Sequence, residues 1–449
     1  MSGSVDAHLD WSPGGGRYEL AKAIRAAIRD GRWRPGDVVP STRALARDLG
    51  LARGTVTKVY TDLAAEGYLR TGQGAPTRVA TAGAEALAAP RPGGRAEPAH
   101  RWTLMPGRPD PSLFPREQWL AATRRVLQHT PTESFGYGDP RGSLVLRTTL
   151  SAYLGRSRGV LADPARMVIC AGFSHALTVL GRALGDIGIT ETAFEDPSVV
   201  RFRSLAAAAG QRVVGVPVDG LGLRVSSLAS PAVVVTPAHQ SPLGVTMAPA
   251  RRTALARSGA VVVEDDYDGE FRFDRQQVGA LQALNPEKVI YAGSASKTLS
   301  PSLRLGWLVL PRSLVDPVVA ALSLSGARPP TLDQLTLADL ISSGGYDRHV
   351  RRARLEYRGR RDRLVAALPS GLTPRGISAG LHLVIPLSAA VEAAVPVAAR
   401  RHSLEIATVG SQRIGVGDGV GGVIVGYGAP PKHAFAPAVE VLLAMLRGL

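Results

Sequence analysis

VIYAGSASKTLSPSLRLGW, residues 289–307, decides how the larger part of this chain folds. Its opening is a short apolar run, led by Lys288 and closed by small residues. Such a run, rich in Val and Ile and without polar alternation, is the pattern of a strand buried on both faces. Directly after it, Lys297 stands among Gly293, Ser294, Ala295 and Ser296. A solvated lysine sits more often on a helix face. One placed here is positioned to lose its water, and desolvation lowers an ammonium pKa until the amine can react with a carbonyl. The chain holds only five lysines, Lys22, Lys58, Lys288, Lys297 and Lys432, against a large arginine excess. Lys297 is therefore the candidate for Schiff-base chemistry, with an ordinary loop lysine as the bland alternative.

Working outward, the run AVVVEDDY (260–267) reads as a second buried strand. It places Asp265 or Asp266 at a strand's C-terminal end, where α/β sheets bind ligands. Pyridoxal phosphate (PLP) chemistry needs a lysine, an acid at the pyridine nitrogen and donors for the phosphate. Tyr267 can reach the ring hydroxyl; Ser294 and Arg304 can serve the phosphate. CAGFSHAL (170–177) reads as strand, turn and helix, whose N-terminal N–H groups suit an anion. Further runs, RMVIC, RVVGVPV and AVVVTP, alternate with helical patterns, which predicts a mostly parallel sheet in an α/β domain. Each residue taken singly has a structural explanation. Their joint order carries the chemistry.

Residues 1–80 read differently. Leu20, Ile24 and Ile28 share one face of a first helix, which Gly31 ends. Ser41 or Thr42 can cap a second helix carrying Leu45, Ala46 and Leu49, stopped by Gly50. The turn Leu51-Ala52-Arg53 leads to a third, with Val56, Tyr60 and Leu63 inward. Tyr68-Leu69-Arg70 and Thr77-Arg78-Val79 can pair as a hairpin wing. Helix, short turn, helix is the plan that lays its later helix in the major groove. The outward candidates for contact with double-stranded DNA are Arg43, Arg53, Thr55, Thr57 and Lys58. A three-helix module for protein contact is the alternative that spacing alone leaves open.

Residues 81–101 are rich in Ala, Pro and Gly and read as a linker, so the expected division is 1–80, 81–101 and 102–449. The net charge of +16 is not concentrated at the N-terminus; much of the excess sits in Arg348–Arg363, which reads as a solvated amphipathic helix. Charge is thus no argument for DNA. Cys170, the only cysteine, excludes an internal disulfide and a cysteine-rich zinc site, and reads as a small core residue. No metal-ligand motif stands out. No apolar run reaches membrane-spanning length and no secretory signal is visible, so a cytoplasmic location is expected. Gly417-x-Gly419-x-x-Gly422 fits a dinucleotide pattern but lacks a following helix, and reads as a turn.

PGDVVPSTRALARDLGLARGTVTKVYTDLAAEGYL (35–69) closely resembles the DNA-binding head of the GntR family. From about residue 105 onward the chain resembles fold-type-I aminotransferases. The shared elements are Gly107-x-Pro109-Asp110, Tyr137-Gly138-Asp139-Pro140-x-Gly142, Glu195-Asp196-Pro197, Thr236-Pro237-x-His239-Gln240, Glu264-Asp265-Asp266-Tyr267 and Ser294-x-Ser296-Lys297 with Arg304. Joined to a GntR head, these look like the MocR subgroup of regulators. The resemblance implies a multidomain chain: a winged helix-turn-helix plus an α/β PLP-binding domain. It implies Lys297 as the lysine bound to PLP, Asp265 at the pyridine nitrogen and Tyr267 at the ring hydroxyl. Ser174, Ser294 and Arg304 would hold the phosphate, and Tyr137 that of the partner subunit, hence a homodimer. Ser198-Val199 replaces the Gly-Tyr of many relatives, Ser174-His175 replaces their two-Gln phosphate turn, and no arginine follows Gly426-Tyr427-Gly428 to clamp a carboxylate; Arg201 or Arg413 could substitute.

The expected function is a PLP-dependent transcription regulator with PLP or an amino compound as effector, acting on vitamin B6 or amino-acid metabolism. The competing readings are a working aminotransferase with an appended DNA-binding-like domain, and a PLP-storing scaffold.

Overall fold

The computed structural model describes residues 9, 11, 16–72, 75–80, 100–273, 278–415 and 421–449. The chain separates into two compact units, Met1–Ala99 and His100–Leu449. Most of the expected linker (81–99), and Gly417 and Gly419 of the glycine pattern, lie outside the described residues.

The small unit runs α1 (Gly16–Arg29), α2 (Thr42–Asp48), α3 (Arg53–Ala65), β1 (Leu69–Gly72) and β2 (Ala75–Val79). Ser41 caps α2, its hydroxyl accepting from the Ala44 N–H at 3.1 Å. The inward stripe of α3 is Val56, Val59, Tyr60 and Leu63, packed on Leu20, Ile24 and Ile28 of α1 and on Leu45 of α2. The Tyr60 hydroxyl donates to the Pro40 carbonyl at 2.8 Å, which fixes α3 against the entry to α2. β1 and β2 pair antiparallel with Leu69 opposite Val79, forming the wing.

The large unit begins with β3 (Trp102–Thr103), α4 (Arg116–His129) and α5 (Leu144–Arg158). β4 (Met167–Cys170), α6 (Phe173–Asp186), β5 (Glu191–Asp196), α7 (Val200–Ala208), β6 (Arg212–Asp219), β7 (Gly222–Leu223) and β8 (Ala232–Val235) follow. Then come α8 (Pro249–Ala256), β9 (Val261–Asp265), β10 (Val289–Ser294) and β11 (Gly306–Val309). These strands form one sheet in the order β4-β11-β10-β9-β8-β5-β6-β7. β10, β9, β8, β5 and β6 are parallel neighbours, while β11 and β7 run against theirs. Layers on both sides explain the apolar runs of β4, β8, β9 and β10; β6 departs from that expectation, with only Val216 buried along its length. Val168, Cys170, Val234, Val263 and Ile290 face one core, and Met167, Ile169, Tyr291 and Trp307 the other.

The remaining helices are α9 (Val315–Ser325), α10 (Thr331–Ser342) and α11 (Gly345–Ala367). The C-terminal lobe adds β12 (Leu383–Leu387), α12 (Ala389–Arg401), β13 (Leu404–Glu405), β14 (Ala407–Thr408), β15 (Gly421–Val425) and α13 (Phe435–Arg447). β12, β15 and β14 make a three-stranded sheet, and Gly422 lies within it. One expectation fails. α11 carries the arginine-rich stretch, yet it is not merely solvated. Arg360 is 0% exposed and forks between Asp110 Oδ2 at 2.6 Å and the Pro430 carbonyl at 2.7 Å. Tyr357, Ala353 and Leu364 are buried beside it. A paired arginine can stay charged in a core, and here it binds the start of the domain to its C-terminal lobe.

Candidate functional site

The C-terminal ends of β5, β8, β9 and β10 open into a cavity of about 380 Å³. Of the residues marked in the sequence, Asp265, Tyr267, Ser174, Ser294, Lys297 and Arg304 all line it. Tyr137 does not: it is fully exposed, in the bend between α4 and α5.

Lys297 occupies the turn after β10, and its Nζ donates to the Gly107 carbonyl at 2.5 Å. Burial lowers its pKa, while Asp265 and Asp268 hold it up. Gly107 is in the left-handed region (φ 70°), and a Cβ there would stand 3.9 Å from the lysine nitrogen. Asp265 and Asp266, equivalent in the sequence, part company at the end of β9. Asp266 turns away and is fully committed: Arg158 holds both its oxygens at 2.6 and 2.8 Å, and the Tyr291 hydroxyl donates at 2.8 Å. Asp265 is buried on the cavity wall, and burial pushes its carboxyl well above the usual range against the pull of Lys297. Strand alternation is the cause, since adjacent residues face opposite sides of a sheet.

Tyr267 lies next to a buried histidine pair. Its hydroxyl is 3.1 Å from His239 Nδ1 and donates to the His239 carbonyl at 3.1 Å. His239 Nδ1 is also 2.9 Å from Asp268, and His382 packs 4.9 Å from it, centre to centre. His239, Asp268 and His382 bring three possible ligand atoms within 4.8 Å, although the His239–Asp268 hydrogen bond already accounts for that closeness.

The far end of the cavity suits an anion. Gly172 precedes α6 with φ 84° and no side-chain cap, so the first N–H groups of the helix and the Ser174 hydroxyl face free space. Ser294 donates to Ser296 at 2.8 Å, and both line the wall. Arg304 has the left-handed backbone (φ 52°) that a side chain rarely takes. A Cβ on Gly172 would make only ordinary contacts, 3.8 Å from the Ser296 hydroxyl and 3.9 Å from the Arg304 guanidinium, so it is the left-handed φ of 84° that calls for glycine there. His175 points elsewhere: its Nδ1 accepts from the Ala171 N–H and its Nε2 meets the Ser325 hydroxyl. Ser198 and Val199 line the cavity, and Phe173 and Phe202, edge to face at 5.0 Å, supply its aromatic wall. Arg201 lines it as well, whereas Arg413 does not.

The donor set fits PLP: a desolvated amine, a buried acid, a phenol, and a cradle of hydroxyls, helix N–H groups and one guanidinium. Glu195 was not singled out in the sequence. Its Oε2 accepts from the Thr236 N–H at 3.0 Å and hydroxyl at 2.6 Å, its Oε1 has no partner among the described residues, and burial pushes its carboxyl up to about 7. ETAFED, the strand that carries it, is too polar for the apolar-run rule. The Glu-Asp-Pro element was the one available signal.

In the small unit Arg43, Arg53, Thr57 and Lys58 are exposed and Thr55 half-buried. Neither Arg43 nor Arg53 has an ion pair or hydrogen bond from its side chain among the described residues. The Thr57 hydroxyl donates to the Arg53 carbonyl at 2.9 Å, and Lys58 pairs with Asp62 at 3.2 Å.

Fold and site together define a helix-turn-helix head joined to an aminotransferase-type domain. Residues 17–79 match the bacterial regulatory proteins of the gntR family, and residues 109–406 match aminotransferase class I and II. The chain is 35% identical over 405 residues to the probable rhizopine catabolism regulatory protein MocR of Rhizobium meliloti, covering 83% of this chain and 82% of the relative. It is 31% identical to the pyridoxine biosynthesis transcriptional regulator PdxR of Corynebacterium glutamicum, covering 82% of each. Among solved structures, an archaeal alanine:glyoxylate aminotransferase superposes with a TM-score of 0.69 at 24% identity, covering 77% of this chain and 91% of the other. The α-aminoadipate aminotransferase LysN of Thermus thermophilus, complexed with a phosphopyridoxyl-leucine, does so at 0.67 and 23%, covering 78% and 92%. These two show the fold alone. The chain belongs to the MocR-type regulators of the GntR family. Among the described residues, no helix is long and apolar enough to cross a membrane.

Proposed function

We propose that this protein is a transcription regulator that binds double-stranded DNA through its small unit and holds PLP in the large-unit cavity, with PLP or an amino compound reacting with it as the effector. The observation that carries this is the joint lining of one cavity by Lys297, Asp265, Tyr267, Ser174, Ser294 and Arg304 in a chain whose head belongs to a DNA-binding family.

Lys297 would attach the cofactor covalently through its amine. Asp265 would hold the proton of the pyridine nitrogen, and Tyr267 the ring hydroxyl. Ser174, Ser294, Arg304 and the start of α6 would bind the phosphate. PLP, when bound, supplies an electron sink and an aldehyde open to exchange with amines. Phe173 and Phe202 would shield one side of the ring from water. Arg201, which lines the cavity, would meet an acidic group on an amino effector.

Phe135, Tyr137, Leu144 and Val145, with Leu120 and Leu127 of α4, are large apolar residues left exposed within one stretch of the chain, 120–145. A homodimer would cover them and bring Tyr137 to the neighbouring protomer's cavity. The relatives named for rhizopine catabolism and pyridoxine biosynthesis make amino-compound or vitamin B6 metabolism the expected target. Reconstitution with PLP tests the cavity: the wild type is expected to show a visible absorbance band that Lys297→Ala abolishes entirely. An unchanged band in the variant would remove Lys297 from the site. Arg201 also favours a second reading, an aminotransferase, which release of a 2-oxo acid from an amino acid by the PLP-loaded protein would establish.

A further inference from the structure

A second cavity, about 600 Å³, lies on the large unit away from the PLP-type site. Its wall carries Arg156 and Arg158 of α5, Arg272, and Arg351, Arg354 and Arg358 of α11, along with Glu270 and Asp347. The two arginines from α5 are already matched. Arg158 is held by Asp266, and Arg156 pairs with Asp347 at 2.9 Å. The three from α11 are not. Arg351 has no hydrogen bond or ion pair among the described residues. Among the described residues Arg354 commits only its Nε, to the Glu270 carbonyl at 2.7 Å, and Arg358 has only a loose 3.8 Å contact with Asp362. Glu270 is the remaining acid, and burial with Asp266 nearby pushes its carboxyl up to about 7, which weakens it as a counter-charge.

The spacing 351, 354, 358 puts these guanidiniums on one face of α11. Like charges three and four residues apart on a helix destabilise it. The opposite face of the same helix shows how this chain treats an arginine of purely structural use: Arg360 is buried and fully paired. A concave wall with three under-committed guanidiniums focuses positive potential, and guanidinium matches phosphate oxygens two at a time. Tyr153, Phe273, Val350 and Leu355 give the same cavity an apolar side.

We propose that this cavity is a second anion site, built for a ligand that carries two or more phosphate groups, with Arg351, Arg354 and Arg358 as its phosphate contacts. The phosphates could belong to a free small molecule or to a DNA backbone, and the test separates the two.

The full-length, PLP-saturated protein is titrated with inorganic tripolyphosphate by calorimetry, and separately with a duplex of unrelated sequence over a salt series. Saturation with PLP keeps the probe off the first cavity. The variants are Arg351→Gln/Arg358→Gln, at exposed positions whose loss leaves the core intact, and Arg400→Gln on α12 as a control. Tripolyphosphate is expected to bind once per chain and to weaken at least about tenfold in the double variant, with the control unchanged. If duplex affinity falls instead, with a salt slope reduced by about two, the same site is confirmed with DNA as the source. Equal binding of both probes by wild type and double variant, or no binding of either probe, would overturn the assignment.

Discussion

Asp265 and Asp266 are neighbours in sequence and opposites in use. Asp266 is locked by Arg158 and Tyr291 and closes the core behind the sheet. Asp265 is buried with no counter-ion in hydrogen-bonding reach among the described residues, its carboxyl raised by that burial. A buried acid that is matched serves stability. One left unmatched on a cavity wall is a candidate contact for a ligand that brings its own positive charge. The contrast recurs elsewhere. Arg360 is buried and paired, and Arg351 is exposed and has no partner among the described residues. Glu66 is satisfied by Arg25 on the head's surface, while Arg53 waits on the outer face of α3.

The largest expected effect breaks the matched member of the first pair. Asp266→Ala strands a buried guanidinium and should destabilise the large unit by about 3–5 kcal/mol in urea denaturation. Asp265→Asn removes a carboxyl that burial disfavours, so it should leave the midpoint of the PLP-free protein level or slightly raised while weakening PLP binding. Equal destabilisation by both would erase the distinction. Next, Arg53→Ala should cost about 1–3 kcal/mol in specific DNA affinity if the side chain reads a base edge. It should leave the PLP absorbance unchanged.

A pH series sharpens the comparison for Glu195. An acid whose pKa is raised on folding stays protonated in the folded state where the unfolded chain has already released its proton. Wild-type stability should therefore fall as pH rises from about 4.5 through about 7. Glu195→Gln should flatten that slope by on the order of 1 kcal/mol per pH unit, since Gln keeps the bonds to Thr236 and loses the titration. An unaltered slope would mean that Glu195 is already ionised in the folded protein. The smallest effect belongs to Arg25→Ala. It removes an exposed, two-pronged pair with Glu66 and should cost no more than about 1 kcal/mol in the head's thermal stability.

The two units were legible in the sequence for different reasons. The head folds from consecutive helices, so the spacing of Leu20, Ile24, Val56, Tyr60 and Leu63 already specifies its core. Five of the strands of the large sheet were marked by runs of Val and Ile; β4, β8, β9 and β10 are buried throughout, while β6 is exposed or half-buried at every position but Val216. The cavity was legible as a set of residue types but not as a place. Choosing between Asp265 and Asp266 by residues alone requires strand register, and Glu195 sat in a strand too polar to be marked. The arginine stretch misled because composition shows charge but not the partner. Nothing near Arg360 in the chain points to Asp110, some 250 residues earlier.

The most direct measurement is fluorescence-anisotropy binding to the DNA upstream of this protein's own gene, with and without PLP, for the wild type and for Lys297→Ala. The account predicts specific binding whose affinity or salt dependence changes with PLP in the wild type and does not change in the variant. Specific binding that is identical in all four conditions would contradict the coupling of cavity to head.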